Sequence, residues 1–345
     1  MEAVVCTDWH LDLLGGIFKD NPEKGIKLQI KDIEKPFDYA LSKGIKTMII
    51  PGDLGQTEDL SSLAKFHLLE LLLKYDGLLN IHIIPGNHDY NRVGVHSLKL
   101  FELLCTKQKF TTIRLYTEPT KITIAKEKFN FVPFPHKKLL PGFINVAHIE
   151  PADFVRDNGR PVKDGQIVDK NISLINGHLH KYQAKKNIVL PGTLYQCNFG
   201  EKGPKGFCHV RVKDGKLSHR FVEVQPSFTF TTLNIETPDD WLKIPKGETE
   251  FVRIYVKSTM TIPDEIQNLQ NVLQFSGKIQ ETLSEDGAIT SATGLDGEDA
   301  IKLIEDDDDE LQKYIKTVFS YNKYQIKRTM QIRNEARSKV SIADI

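Results

Sequence analysis

The ten residues IIPGNHDYNR at positions 83–92 contain side chains that could carry out chemistry. An apolar run leads into Gly86, Asn87, His88 and Asp89. A surface turn readily accommodates glycine, asparagine and aspartate, but it gives no reason for a histidine at this place. Asparagine, histidine and aspartate can all bind a metal ion, and histidine also transfers protons near neutral pH. The segment therefore indicates a metal or catalytic site at the end of a buried strand.

Four other apolar runs in the sequence also end in aspartate or histidine. Their terminal residues are Asp8 and His10, Asp53, His148, and His178 with His180. Each short motif alone has an ordinary explanation, such as a turn or a structural histidine. In an open α/β sheet, however, the carboxyl ends of the strands share one edge, where ligands bind. The five motifs are therefore expected to converge at one site, and the remaining histidines are interpreted as structural or surface groups.

The predicted ligands offer carboxylate, amide and imidazole donors, and none of them is a cysteine. Such a set suits Mn²⁺, Fe²⁺ or Zn²⁺ in a reactive centre better than a structural zinc site held by thiolates. The donors are too many for one ion. Two ions about 3.5–4 Å apart, with one bridging carboxylate, would use them all. Such a pair can activate water and neutralise phosphate oxygens, so the pattern indicates phosphoryl-transfer chemistry.

The elements that must position these residues alternate between strands and helices at the start of the chain. Strands are predicted at 3–7, 46–53 and 79–89, with helical periodicity around 26–41 and 60–75 between them. Six shorter strands are predicted between residues 121 and 212. The expected fold class is therefore α/β, with two packed mixed sheets flanked by helices.

The character of the sequence changes after residue 225. Residues 226–283 contain two further strand patterns and a helix-like segment at 263–275, which indicates a small α+β module. Residues 284–305 are polar and glycine-punctuated at first and are interpreted as a linker. Residues 306–345 form a basic amphipathic segment, predicted as a helical tail. The expected divisions are therefore 1–225, 226–283, 284–305 and 306–345.

The whole-chain composition is that of an ordinary globular protein. The chain has 345 residues, is 40% hydrophobic and 27% charged, and has a formal net charge of zero. A nucleic-acid partner would therefore need a locally basic surface. Four widely spaced cysteines without a CxxC pair predict reduced, buried thiols. The sequence has no long apolar segment and no basic leader, so a cytoplasmic protein without a membrane span is expected.

The ordered motifs D-x-H, G-D, G-N-H-D, H and G-H-x-H resemble those of the calcineurin-like metallophosphoesterases, over about residues 1–224. Asp89 at the end of the third motif, and LPGTLYQCNFGEKGPKGF at 190–207, make the chain similar to the SbcD-type DNA repair nucleases. The compact bacteriophage form, the small subunit of a recombination exonuclease, is the most similar. Asp12 and Gln56 depart from residues that are common in the family, and neither position is a predicted ligand.

The resemblance implies a role for each residue of the site. One metal ion would be bound by Asp8, His10, Asp53 and His180, and the other by Asp53, Asn87, His148 and His178. Asp53 would bridge the two ions, which are expected to be Mn²⁺. His88 would contact the scissile phosphate or protonate the leaving sugar oxygen. Asp89 would orient His88 and favour its charged form.

The resemblance also implies a 3′–5′ double-strand exonuclease and single-strand endonuclease for recombination and double-strand break repair. The partners would be DNA, an SbcC-type coiled-coil ABC ATPase and a second copy of the chain. Dimerisation is expected through helices near residues 60–75 and 96–105. Residues 226–283 would cap the DNA, residues 306–345 would bind the ATPase, and the location would be the cytoplasm, the host's if phage-encoded. The alternatives are a phosphoprotein or nucleotide phosphatase, and a catalytically idle scaffold for the ATPase.

Overall fold

The computed structural model describes residues 1–291 with short gaps, and the chain divides into two compact units. The gaps are positions 16, 19, 92, 258–260, 268, 270, 280 and 284–288. The first unit ends at Thr229, and the second begins at Phe230. This division lies close to the boundary predicted after residue 225. The roles of the two units as nuclease and capping domains stay predictions.

The first unit contains a six-stranded sheet with the order β12-β11-β1-β2-β3-β4. The strands are β1 (Glu2–Val5), β2 (Thr47–Pro51), β3 (Asn80–Ile84), β4 (Ile113–Leu115), β11 (Gly206–Lys213) and β12 (Lys216–Glu223). The strands β1 to β4 are parallel, whereas β11 and β12 run antiparallel to their neighbours. The first three strands are almost continuously apolar because both faces of the sheet are covered.

A second six-stranded sheet of the same unit has the order β5-β6-β7-β8-β10-β9. Its strands are β5 (Thr120–Ile124), β6 (Glu127–Val132), β7 (Ile144–Ala147), β8 (Ser173–Asn176), β9 (Gln183–Lys185) and β10 (Ile188–Leu190). The strands β6, β7, β8 and β10 are parallel, and the two edge strands are antiparallel.

The two sheets pack face to face around one apolar core. Val5 and Ile49 of the first sheet belong to the same buried cluster as Phe131, Val146 and Ile175 of the second. Burial of such side chains is the main favourable term in folding. The structure therefore confirms the predicted α/β architecture of two packed mixed sheets.

The described residues of the first unit form three helices. The helices are α1 (Pro22–Ser42), α2 (Ser62–Tyr75) and α3 (Lys99–Thr106). The side chains of Asn21 and Ser61 cap the first two helices by accepting backbone N–H groups, which stabilises a helix by about 1 kcal/mol. Ile33 and Phe37 of α1 are fully buried, so this helix is anchored to the core. Among the described residues, no helix is long and apolar enough to cross a membrane.

The second unit has a three-stranded sheet of its own. Its order is β13-β14-β15, formed by Thr229–Ile235, Glu250–Lys257 and Val272–Ile279, with a 3₁₀ helix at Pro238–Lys243 and the short helix α4 at Asp264–Gln267. Ile235, Val252 and Ile254 are buried in its core. The helix predicted over 263–275 is wrong beyond α4, because from Val272 the chain pairs in parallel with β14 instead of continuing as a helix.

The predicted linker contains a described strand. β16 (Glu281–Leu283) pairs antiparallel with β17 (Ile289–Ser291), so the linker prediction is wrong at those three residues. The rest of 284–305, and the predicted tail at 306–345, lie outside the described residues.

The four cysteines are all free thiols. Cys6 and Cys208 are buried, whereas Cys105 and Cys197 are only half-buried. The prediction of reduced thiols therefore agrees with the structure. The prediction that all four are buried is wrong for two of them, because Cys105 lies near the end of α3 and Cys197 lies in a loop after β10.

Replacing Ile33 by alanine should lower the free energy of unfolding of the first unit by about 2–5 kcal/mol, because the substitution leaves a cavity in a packed core. Denaturant unfolding of the full chain, followed by circular dichroism, measures this change. Ile167 is the matched control, since its side chain is 82% exposed and Ile167→Ala should change the value by less than about 0.5 kcal/mol. Equal effects of the two variants would contradict the placement of α1 in the core.

Candidate metal centre

The structure brings all seven predicted ligands together at the carboxyl ends of parallel strands. Asp8 and His10 follow β1, Asp53 follows β2, Asn87 follows β3, His148 follows β7, and His178 and His180 follow β8. Because the two sheets pack together, the loops that follow these strands meet in one region of the first unit. Hydrogen bonds between the predicted ligands show this.

Four of the seven predicted ligands have a left-handed backbone. The φ angles are 53° at Asp8, 42° at His10, 51° at Asp53 and 79° at His178. A residue with a Cβ atom is disfavoured in this region by about 1–2 kcal/mol. Strained backbone of this kind concentrates at functional sites, where the surrounding structure enforces it. The strained turns therefore mark these strand exits as a candidate functional site.

Hydrogen bonds between the loops enforce these turns. The backbone N–H groups of Asp8 and His10 donate to the carbonyl groups of Gly52 and Asp53, each over 3.1 Å. These bonds extend the pairing of β1 and β2 beyond the strands themselves. As a result, Asp8, His10 and Asp53 are fixed relative to one another by the backbone.

His10 and His180 form one half of the cluster with Asp53. Their Nε2 atoms lie 3.0 Å apart, and His10 Nε2 is 3.9 Å from Asp53 Oδ2. Burial lowers the pKa of His10 to about 3, so this ring is neutral at physiological pH. Neutral imidazole is the form that binds metal ions. Two imidazole nitrogens that face each other beside a carboxylate fit a shared cation.

Asn87, His148 and His178 form the other half of the cluster, again with Asp53. The Asn87 Oδ1 atom lies 2.9 Å from His148 Nε2 and 2.8 Å from His178 Nδ1. His148 Nε2 is also 3.2 Å from Asp53 Oδ2. Asp53 is thus shared by both halves, which is the place of a bridging ligand. Asp8 lies against the second half, since its carboxylate accepts the backbone N–H of His178 over 3.0 Å.

The buried carboxylates of the cluster need positive charge beside them. Burial raises the pKa of Asp8 to about 6. Burial also opposes ionisation of Asp53, but the adjacent His148 outweighs it and holds the Asp53 pKa below its usual value. In return, Asp53 outweighs the burial of His148 and raises its pKa to about 9. A proton on His148 therefore balances the charge of the buried Asp53 carboxylate. Divalent cations could provide that positive charge instead, and the oxygen and nitrogen donors of the cluster fit such ions.

Two glycines leave the space that the ligands occupy. A Cβ atom on Gly86 would lie 2.2 Å from Asp53 Oδ1, and one on Gly52 would lie 2.3 Å from His148 Nδ1. Gly52 also has a φ of 104°, which residues with a side chain rarely adopt. Gly52 and Gly86 are therefore required by the packing of the predicted ligands themselves.

His88 is the exposed member of the third motif, and its ring lies 4.8 Å from the His10 ring, between centroids. Its Nδ1 donates to the carbonyl oxygen of Gln56 over 2.9 Å. Because a carbonyl group only accepts, Nδ1 carries the proton and Nε2 is left available for a substrate. His88 is thus placed at the mouth of the cluster.

The predicted pairing of Asp89 with His88 is wrong. The Asp89 carboxylate accepts backbone N–H groups of Gly86 over 2.9 Å, Gly55 over 3.0 Å and Leu54 over 3.3 Å. These bonds occupy both carboxylate oxygens, while the His88 ring is bound to Gln56. Asp89 therefore ties the loop after β3 to the loop after β2, and burial raises its pKa to about 7.

The two positions that depart from the family pattern have structural roles here. The Asp12 carboxylate accepts the backbone N–H of Ser61 over 3.0 Å, which joins the loop after β1 to the start of α2. The carbonyl group of Gln56 holds the His88 ring. Gln56 therefore acts through its backbone in these contacts.

Glu201 was missed by the sequence reasoning. It is 2% exposed, and its Oε1 accepts a hydrogen bond from His180 Nδ1 over 2.8 Å. Lys205 is also buried and forms an ion pair with Glu201. A carboxylate behind a ligating histidine fixes the ring and makes its other nitrogen a better donor. Glu201 and Lys205 lie in the segment GEKGPKGF at 200–207, which the sequence analysis compared with the family. Nothing in that segment indicates a contact with His180.

Gln29 is a second buried residue that the sequence did not single out. Its Nε2 donates to the carbonyl oxygen of His10 over 2.9 Å and lies 3.0 Å from the hydroxyl group of Tyr195. That hydroxyl group in turn donates to the Trp9 carbonyl oxygen. This network holds the strained backbone around His10. A glutamine on the helix α1, among ordinary polar residues, gives no such signal in the sequence.

Replacing Glu201 by glutamine should weaken metal binding by about 10- to 100-fold, because His180 loses the charged partner behind its ring. Calorimetric titration of metal-free protein with Mn²⁺ measures the affinity. Glu118→Gln is the control, since the Glu118 side chain is 81% exposed and is not a member of the cluster. Unchanged affinity of Glu201→Gln would show that this carboxylate does not support a metal ligand.

The comparisons with known proteins agree with this geometry. The family model of the calcineurin-like phosphoesterases matches residues 1–182, which is more than half of the chain. The chain is also 24% identical over 281 residues to the SbcD component of the nuclease SbcCD from Staphylococcus saprophyticus, an alignment that covers 66% of this chain and 69% of that protein. These findings confirm the resemblance to the superfamily and to its SbcD-type members. The chain belongs to the calcineurin-like phosphoesterase family.

Proposed function

We propose that this protein is a dinuclear-metal DNA phosphodiesterase. The observation that carries the proposal is the cluster in which Asp53 is shared by two sets of histidines, with the exposed His88 beside it. The similarity to a nuclease component supports a polynucleotide as the substrate. The SbcD-type resemblance supports 3′–5′ exonuclease action on duplex ends and endonuclease action on single strands.

The metal ions of the proposed enzyme are two Mn²⁺ ions. Asp8, His10, Asp53 and His180 would hold one ion, and Asp53, Asn87, His148 and His178 would hold the other. Mixed oxygen and imidazole donors suit Mn²⁺. When bound, the pair would lower the pKa of water and neutralise charge on the phosphate oxygens. The chain itself holds the ligands rigidly, through the backbone bonds between the loops.

His88 is proposed to act directly on the substrate. The backbone carbonyl group of Gln56 binds Nδ1 of His88 and so fixes the ring. The position of His88 Nε2 therefore does not depend on a flexible side chain. A protonated Nε2 can donate to a phosphate oxygen or supply the proton that the leaving sugar oxygen needs. The backbone N–H of His88 donates to Asp53 Oδ1 over 2.8 Å, which ties the proposed acid to the proposed bridge.

The proposed partners follow from the same similarity. The relative is named as a component of SbcCD, and we propose an SbcC-type ATPase as the partner of this chain. The tail at 306–345 is proposed to bind it, residues 226–283 to cap the DNA, and a second copy to complete a homodimer. The setting would be DNA recombination and repair in the cytoplasm, that of the host if the gene belongs to a bacteriophage.

The purified full chain with Mn²⁺ should degrade linear duplex DNA from its 3′ ends. Release of nucleotides from end-labelled duplexes, with and without the coiled-coil ATPase, measures this activity. Hydrolysis of phosphoproteins or free nucleotides alone would show that the substrate class is wrong. Full metal occupancy without any hydrolysis would indicate an idle scaffold.

Replacing His88 by alanine should reduce DNA cleavage by about 10²- to 10⁴-fold, because the general acid is lost. The variant should keep both metal ions, because His88 is not a proposed ligand. Elemental analysis and the duplex assay measure the two properties separately. His136→Ala is the matched control, since the His136 side chain is 40% exposed and pairs with Glu118 instead of the cluster. Loss of a metal ion from His88→Ala would make His88 a ligand and refute its assigned role.

A further inference from the structure

The half-buried thiol of Cys197 lies within the group of possible metal ligands. Donor atoms of Cys197, His10 and His180 all lie within 4.8 Å of one another. His10 is 1% exposed, and its Nδ1 atom has no hydrogen-bond partner. The seven predicted ligands offer only oxygen and nitrogen donors, so the sulfur atom adds a different kind of donor to this half of the centre.

Glu201 fixes the backbone of Cys197 and the ring of His180 relative to each other. Its Oε1 accepts the N–H of the His180 ring over 2.8 Å, and its Oε2 accepts the backbone N–H of Cys197 over 3.1 Å. Asn198 donates to Oε1 over 3.0 Å, and Lys205 forms an ion pair with Oε2. The position of Cys197 beside His180 is therefore built into a buried network.

This arrangement suits a tetrahedral cation that binds sulfur well. A tetrahedral zinc ion forms bonds of about 2.3 Å to sulfur and about 2.0–2.1 Å to nitrogen. A sulfur atom and a nitrogen atom bound to the same ion are then roughly 3.5 Å apart. The group of Cys197, His10 and His180 needs only a small adjustment to reach that spacing. Thiolates select zinc and other soft cations, whereas Mn²⁺ prefers oxygen donors.

We propose that Cys197, His10 and His180 form an alternative site for a thiophilic divalent cation such as Zn²⁺ or Cd²⁺. The inference rests on the metal centre of the proposed function and adds a second cation class to it. On binding, the thiol proton is released to water and the sulfur becomes a ligand. His10 and His180 are then occupied, so the catalytic cation cannot bind in that half. Zinc should therefore inhibit cleavage that Mn²⁺ supports.

Titration of the metal-free full chain with Co²⁺ tests the site without any activity assay. The wild-type protein should show a thiolate-to-cobalt charge-transfer band in the near ultraviolet, beside the visible bands of bound Co²⁺. Cys197→Ser should lose the charge-transfer band and keep the visible bands. Its Zn²⁺ affinity should fall by more than about tenfold. Loss of a residue that only supports a metal ligand already lowers affinity by about that factor, and loss of the ligand itself should cost more. Cys197→Ala serves as a second variant.

The control variant is Cys105→Ser, which removes a half-buried thiol on α3 and should keep the charge-transfer band. Absence of the band from wild-type protein with bound Co²⁺ would overturn the proposal, as would its persistence in both Cys197 variants. Mn²⁺ affinity should stay within about twofold of wild type in Cys197→Ser, because Mn²⁺ gains little from sulfur. A sulfur band in a protein that cleaves no DNA would refute the proposed function and leave this inference standing.

Discussion

The centre depends on the burial of two carboxylates, Asp8 and Asp53, which are 0% and 1% exposed. A buried negative charge is stable only when positive charge or hydrogen-bond donors lie next to it. Here a backbone N–H group reaches each carboxylate, and a proton on His148 balances Asp53. Two divalent cations would more than compensate the same charges. The neutral donors Asn87 and His178 add no further negative charge, so a net positive field would remain for a phosphate.

Hydrogen bonds between the loops around these carboxylates hold them to one another. Asp8, His10 and Asp53 have a left-handed backbone, and hydrogen bonds join the loop after β1 to the loop after β2. Asp89 then joins the loop after β3 to that after β2. The Pro51 carbonyl oxygen accepts from His148 Nδ1 over 2.7 Å, which links the two sheets at the site. The strain of the turns is therefore distributed over a connected network, and the ligand positions are fixed together.

A second layer of residues sets the orientation of the histidines. Carbonyl oxygens serve this purpose for His148 and His88, and the Glu201 carboxylate serves it for His180. The distinction matters chemically, because a carboxylate strengthens the donor nitrogen of an imidazole more than a neutral carbonyl group does. The half of the centre with His10 and His180 is thus electronically different from the half with His148 and His178. The Cys197 thiol lies beside His10 and His180, within 4.8 Å of their donor atoms.

The sequence by itself determined the fold class and the seven positions of the predicted ligands, which the structure brings together. Apolar runs ending in aspartate, asparagine or histidine indicate a strand and the loop that follows it, and both are local properties of the chain.

The identity of the partner of each side chain was decided by the tertiary structure. The nearest carboxylate to His88 along the chain is Asp89, yet the His88 ring is bound to the Gln56 carbonyl group, 32 residues away. Glu201 and Cys197 reach His180 only because the loop after β10 folds back over the exit of β8. Residues 263–275 show the same limit, since a periodic pattern favours a helix until pairing with β14 makes the segment from Val272 a strand. Local patterns determine most of the elements, whereas long-range packing and hydrogen bonding determine which groups meet and can override a local pattern, as they do from Val272.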